Sequence, residues 1–67
     1  MTAAQFEALD EVEAESVLRW RFDSLAFAGY NVDHAMILAS HVEVDLHAAT
    51  DLVERGCPSD TALRILL

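Results

Sequence analysis

Lysine is missing from this chain, and its four basic residues are arginines set against twelve aspartates and glutamates, for a net charge of −8. So acidic a surface repels nucleic-acid phosphates and anionic lipid head groups, which excludes direct DNA or RNA binding short of mimicry of a nucleic acid. Cysteine is nearly missing: Cys57 stands alone, so no internal disulfide can form, and a lone thiol fits a reducing compartment. Long apolar runs are also missing. Segments such as Leu25-Ala26-Phe27-Ala28 fall far below the roughly 20 residues that a bilayer span needs. The opening Met1-Thr2-Ala3-Ala4-Gln5-Phe6-Glu7 has neither a basic region nor a hydrophobic signal core. These absences predict a cytoplasmic protein without a membrane anchor. No glycine-rich phosphate loop, nucleophile elbow or paired-cysteine motif is present, and no carboxylate is isolated in an apolar segment. The expectation is a protein that is not an enzyme and calls for no cofactor.

What is present is 54% apolar residues in a chain of 67, enough to fold and too short for more than one domain. A domain this small is marginally stable alone and commonly needs a metal or a partner when disulfides are unavailable. Helix formers dominate, and the two glycines and one proline fall at breaks: Gly29 and Gly56 each follow an apolar-periodic run, and Pro58 stands where a helix restarts. The pattern predicts an all-α fold, a small orthogonal bundle of four helices at about 10–28, 32–40, 46–55 and 60–67. Asp10 with Glu13, Asn31, Asp45 and Ser59 are the expected N-caps. Residues 1–9 form an acidic arm before the single domain of 10–67. Thr2 with Gln5 offers this arm an earlier helix start. Glu7, Glu11 and Glu15, spaced by four, are expected to share one face. Three of the four arginines have an acidic residue one turn earlier (Glu15–Arg19, Asp51–Arg55, Asp60–Arg64), which marks them as helix-surface residues.

The first long helix exceeds the needs of a plain core. On a wheel of about 100° per residue, Leu18, Phe22, Leu25 and Ala26 form one stripe, and Trp20 and Phe27 lie on roughly the opposite side. Either the helix is central and covered on both sides, or Trp20 and Phe27 are exposed anchors for a partner. The ending Ala62-Leu63-Arg64-Ile65-Leu66-Leu67 repeats the question, because it either closes the core or inserts into another surface.

Metal and thiol chemistry have few carriers. His41, Glu43, Asp45 and His47 cluster in sequence, and His41 and His47 are the candidate ligands, without the tight paired spacing of structural zinc sites. Surface and capping roles explain them better. Cys57, just before a helix start, could have a lowered pKa but has no resolving cysteine, and a small buried hydrophobe is the plainer role.

Leu25-x-x-x-Gly29-Tyr30 with Ala35, followed by Leu46-x-x-Ala49-x-Asp51-Leu52, resembles the three-helix pattern of ubiquitin-associated (UBA-like) domains across about residues 18–55. Tyr30 stands where that pattern has phenylalanine, and the last helix is extra. The resemblance implies a compact orthogonal bundle whose Gly29-Tyr30 turn is a recognition surface. It does not carry ubiquitin binding with it. The segment 44–58 together with the ending 62–67 is similar to short uncharacterised actinobacterial proteins, in keeping with the arginine-only usage of a GC-rich genome. The combined expectation is a protein-interaction module, an adaptor, accessory subunit or homodimer. Trp20, Phe27, Tyr30, Leu66 and Leu67 would make the contact, and Glu7, Glu11 and Glu15 would steer it towards a basic surface. The alternative is an acidic regulator that mimics nucleic acid and blocks a basic site on another protein.

Overall fold

The computed structural model describes residues 1–67 and is all-helical, with α1 at Ala3–Glu7, α2 at Glu11–Ala28, α3 at Val32–Ser40, α4 at Leu46–Glu54 and α5 at Ser59–Leu66. Five helices stand where four were expected, and the extra one is α1. Its cause is local. Thr2 and Gln5 form a reciprocal capping box, with the Gln5 amide donating to Thr2 Oγ1 at 3.1 Å and the Thr2 amide donating to Gln5 Oε1 at 3.0 Å. Three residues after α1 ends, Asp10 starts a new helix by accepting the Glu13 amide at 2.8 Å. Two cap signals this close cut one apolar-periodic stretch into two helices. That bond, first among the causes, lowers the Asp10 carboxyl pKa below its ordinary value.

The remaining starts follow the same rule with one exception. Asn31 Oδ1 accepts the Asp33 amide at 2.8 Å and the His34 amide at 3.4 Å, and Asp45 Oδ1 accepts the His47 amide at 3.1 Å. Pro58, and not Ser59, is the N-cap of α5, and it makes no side-chain capping bond. Ser59 lies inside the helix, where its hydroxyl meets His34 Nδ1 and ties α5 to α3.

Two helices end alike. Gly29 has φ 124° and Gly56 has φ 97°, backbone that side-chain-bearing residues rarely adopt. The residue after each glycine bonds back across the last turn, Tyr30 amide to Leu25 carbonyl at 3.1 Å and Cys57 amide to Leu52 carbonyl at 3.0 Å. This is the Schellman arrangement, which returns the post-glycine side chain to the helix it has just left. Tyr30 is thereby buried, and Cys57 packs against the core.

Helix α2 packs on α3 and α4, and α5 closes against both of these. The core joins Leu25, Tyr30, Ala35, Leu38, Ala39, Val44, Ala49 and Ala62. Small residues predominate, and Leu25 and Leu38 are its only large, fully enclosed side chains. The amino-terminal segment folds back beside this bundle, with the Met1 ammonium donating to the Val42 carbonyl oxygen at 3.4 Å.

One charged side chain crosses the core. Arg21, on α2, is 5% exposed. Its Nε donates to Ala39 O at 3.1 Å, and its Nη2 lies 3.1 Å from Leu38 O and 3.0 Å from both His41 O and Val44 O. The guanidinium fork thus gathers the carbonyls at the end of α3 and in the loop that follows, of which Leu38 O and His41 O also accept the amides of His41 and Val44. Burial pushes its pKa down, and the nearby Glu43 and Asp45 push it back up. No carboxylate pairs with it directly, since the ion pairs are Asp51–Arg55 and Asp60–Arg64. The negative end of the α3 dipole supplies part of the compensation. Glu15–Arg19, paired by spacing, forms no ion pair.

Candidate functional site

The helix wheel of α2 has two different fates on its two sides. Leu25 is fully buried, with Phe22 and Ala26 packed against the core, whereas Phe27 is 95% exposed and Trp20 is 62% exposed. The other helices therefore leave the second stripe open. The cause is in the packing: α2 meets α3 and α4 through the side that Arg21 and Leu25 define, and Phe27 stays outside those contacts. Seven residues separate Trp20 from Phe27, about 10 Å along the helix.

Between this stripe and α4 runs an open groove of about 580 Å³. Trp20, Phe27 and Ala28 come from α2, and Leu46, His47 and Thr50 come from α4. Asp23, Ser24 and Glu54 complete it. Its apolar members are thus interleaved with two carboxylates and no arginine. A second hollow of about 430 Å³ lies between α2 and α3, lined by Leu18, Phe22 and Met36 together with Glu15 and Arg19, so it carries both signs of charge.

The other expected contact residues separate. Tyr30 does not belong to the surface: it is 4% exposed, and its hydroxyl donates to Ala49 O at 2.7 Å. The Gly29-Tyr30 turn consequently cannot offer its aromatic ring for recognition, because the Schellman bond directs that ring inward. Leu66 is half-buried against the core, while Leu67 and Ile65 are largely exposed beside it. The carboxyl-terminal helix closes the core with Ala62, Leu63 and Leu66 and leaves Ile65 outside. Glu7, Glu11 and Glu15 are all exposed, but the break at 8–10 puts Glu7 on a different helix from the other two. The acids that flank the aromatic groove are instead Asp23 and Glu54.

His41 Nδ1 donates to Ile37 O, 2.8 Å away, and His47 is exposed on α4. No three His, Cys, Asp or Glu side chains converge as metal ligands would. Cys57 is half-buried and points its Sγ towards Pro58 O at 3.6 Å. No helix is long and apolar enough to cross a membrane.

Two residues with structural weight escaped sequence reasoning. Arg21 is the arginine without an acid one turn before it, since Val17 stands there, and it falls inside the Leu18–Leu25 stripe. That double exception was the available signal. Ser59 has the residue type of a cap, and nothing in its spacing announces the bond to His34. Comparison with family models, with curated proteins and with solved structures finds no match, so the functional reading rests on the residues of this chain.

Proposed function

We propose that this protein is a non-enzymatic protein-interaction module of the cytoplasm, an orthogonal UBA-like bundle that docks another polypeptide through Trp20 and Phe27. The observation that carries this reading is the 95% exposure of Phe27 beside the open α2–α4 groove. A phenylalanine left in water forfeits the transfer free energy that its burial supplies, about 1.5–3 kcal/mol, and aromatic side chains are favoured anchors where that surface is later covered. The open character of the grooves supports binding of another surface.

The test is capture from the native host with the wild type, Trp20→Ala and Phe27→Ala as baits, read by mass spectrometry alongside the mass of the free protein. Partners, or a dimer, that vanish with both variants support the reading. Partners held equally by all three baits overturn it. The nucleic-acid-mimic alternative separates by salt: charge-led binding weakens steeply between low and moderate ionic strength, and aromatic docking persists.

A further inference from the structure

We propose that the groove between α2 and α4 takes a basic amphipathic helix of another protein, with its apolar stripe on Trp20, Phe27 and Leu46 and its arginines or lysines on Asp23 and Glu54. This rests on the docking reading above and adds the occupant.

Charge chooses it first. Asp23 and Glu54 line the groove and neither is in an ion pair, so their charges are free for a partner. The same sign continues around α4, where Asp45 and Asp51 line the adjoining hollow with Glu54, and of these only Asp51 is in an ion pair, with Arg55 at 3.0 Å. Symmetry then argues against a second copy. A two-fold contact across this face would bring two copies of the same acidic patch together, in a chain of net charge −8. Shape favours a helix. An open trough beside a helix, with two aromatic anchors about two turns apart, matches the i, i+3, i+4, i+7 repeat of an amphipathic helix.

Trp20 is the only tryptophan, so its emission reads the groove directly. The full chain is titrated with fluorescein-labelled, tryptophan-free helical peptides of about five turns. One has a leucine stripe on an arginine background. Another has the same stripe on glutamate, and a third keeps the arginine composition with the stripe scrambled. The arginine amphipath is expected to bind in the micromolar range, shifting Trp20 emission to the blue, while the other two fail to bind. Phe27→Ala should weaken it by about tenfold or more, read by anisotropy. Asp23→Asn with Glu54→Gln should weaken it several-fold and flatten its salt dependence. Circular dichroism confirms that each variant is folded.

Equal binding of the glutamate or scrambled peptide, or no loss in the Asp23/Glu54 variant, overturns the basic helix. If Phe27→Ala still abolishes binding in that case, the docking reading survives. A Phe27-dependent dimer in sedimentation gives the groove to a second copy and also overturns the inference. So does absence of binding at millimolar peptide. If neither Phe27→Ala nor Trp20→Ala changes any binding, the docking reading falls as well.

Discussion

The Tyr30 hydroxyl donates to the Ala49 carbonyl oxygen at 2.7 Å, joining the residue after the first glycine turn to the middle of α4. Both residues are buried. Tyr30→Phe keeps the ring and removes the donor, which should cost about 1 kcal/mol. Urea unfolding should show a lower midpoint with an unchanged slope, because the surface exposed on unfolding stays the same. An unchanged midpoint would mean that the carbonyl finds water instead.

The same hydroxyl gives the fold an alkaline limit. Burial, and after it the neighbouring Cys57, raises the phenol pKa above 10.0. The unfolded chain therefore releases this proton first as pH climbs. The contribution to stability is fully present below about pH 10 and is lost as pH rises through the folded-state pKa. No lysine titrates in that window to obscure it. The wild type should lose stability from about pH 10 upwards, and Tyr30→Phe should show a smaller loss. A loss of equal size in the variant would assign it to another group.

Arg21 should be the costliest single position. Its guanidinium meets four carbonyl oxygens, at Leu38, Ala39, His41 and Val44, all between 3.0 and 3.1 Å. Arg21→Met leaves the Ala39 and Val44 carbonyls without this donor, while Leu38 O and His41 O keep the amides of His41 and Val44, and the expected cost is about 3–5 kcal/mol. A domain of this size has roughly 3–10 kcal/mol in total, so much of the variant should be unfolded at room temperature. Arg21→Lys should recover less than half, since a single ammonium cannot span the fork's acceptors. Circular dichroism with urea titration decides it. Near-wild-type stability in Arg21→Met would show that water enters and serves the carbonyls.

The His34–Ser59 bond links α3 to α5 and should appear as coupling. His34→Ala and Ser59→Ala, singly and together, are expected to give a coupling energy of about 0.5–1.5 kcal/mol in a double-mutant cycle. Strict additivity would leave the contact without energetic weight.

Which features were legible in the sequence follows from where the physics acts. Asn31, Asp45, Gly29 and Gly56 fix helix ends through bonds only a few residues long, so those boundaries could be read within a residue or so. Thr2 and Asp10 are both strong caps, and a linear reading could not rank them; the chain used both and made α1 separate. Tyr30 is expected at the surface because the UBA-like resemblance makes the Gly29-Tyr30 turn a recognition surface. Its burial depends on the Leu25 carbonyl reaching forward to its amide, a pairing visible in the glycine position but not in the residue type. Arg21 needed the third dimension, since its four acceptors lie 17 to 23 residues away. The two stripes of α2 were legible from spacing. Which of them the other helices cover was settled by α3 and α4 packing on the Leu25 side.

That division makes a final prediction, because Leu25 and Phe27 lie two residues apart on one helix, about 200° apart around it. Leu25 has no exposed surface and Phe27 has 95% of its own. Leu25→Ala removes a core side chain and should cost about 2–5 kcal/mol, enough to unfold a large share of so small a domain. Phe27→Ala removes a larger side chain, yet it should change stability by no more than about 0.5 kcal/mol, and the better helix propensity of alanine favours a slight gain. Thermal and urea unfolding of the two variants checks this. Should Phe27→Ala instead cost well over 1 kcal/mol, the ring must be covered in solution by a second copy. The melting temperature of the wild type would then rise with protein concentration, as mass action requires of an assembled state. A melting temperature independent of concentration, with Phe27→Ala as stable as the wild type, leaves the ring free to meet a partner.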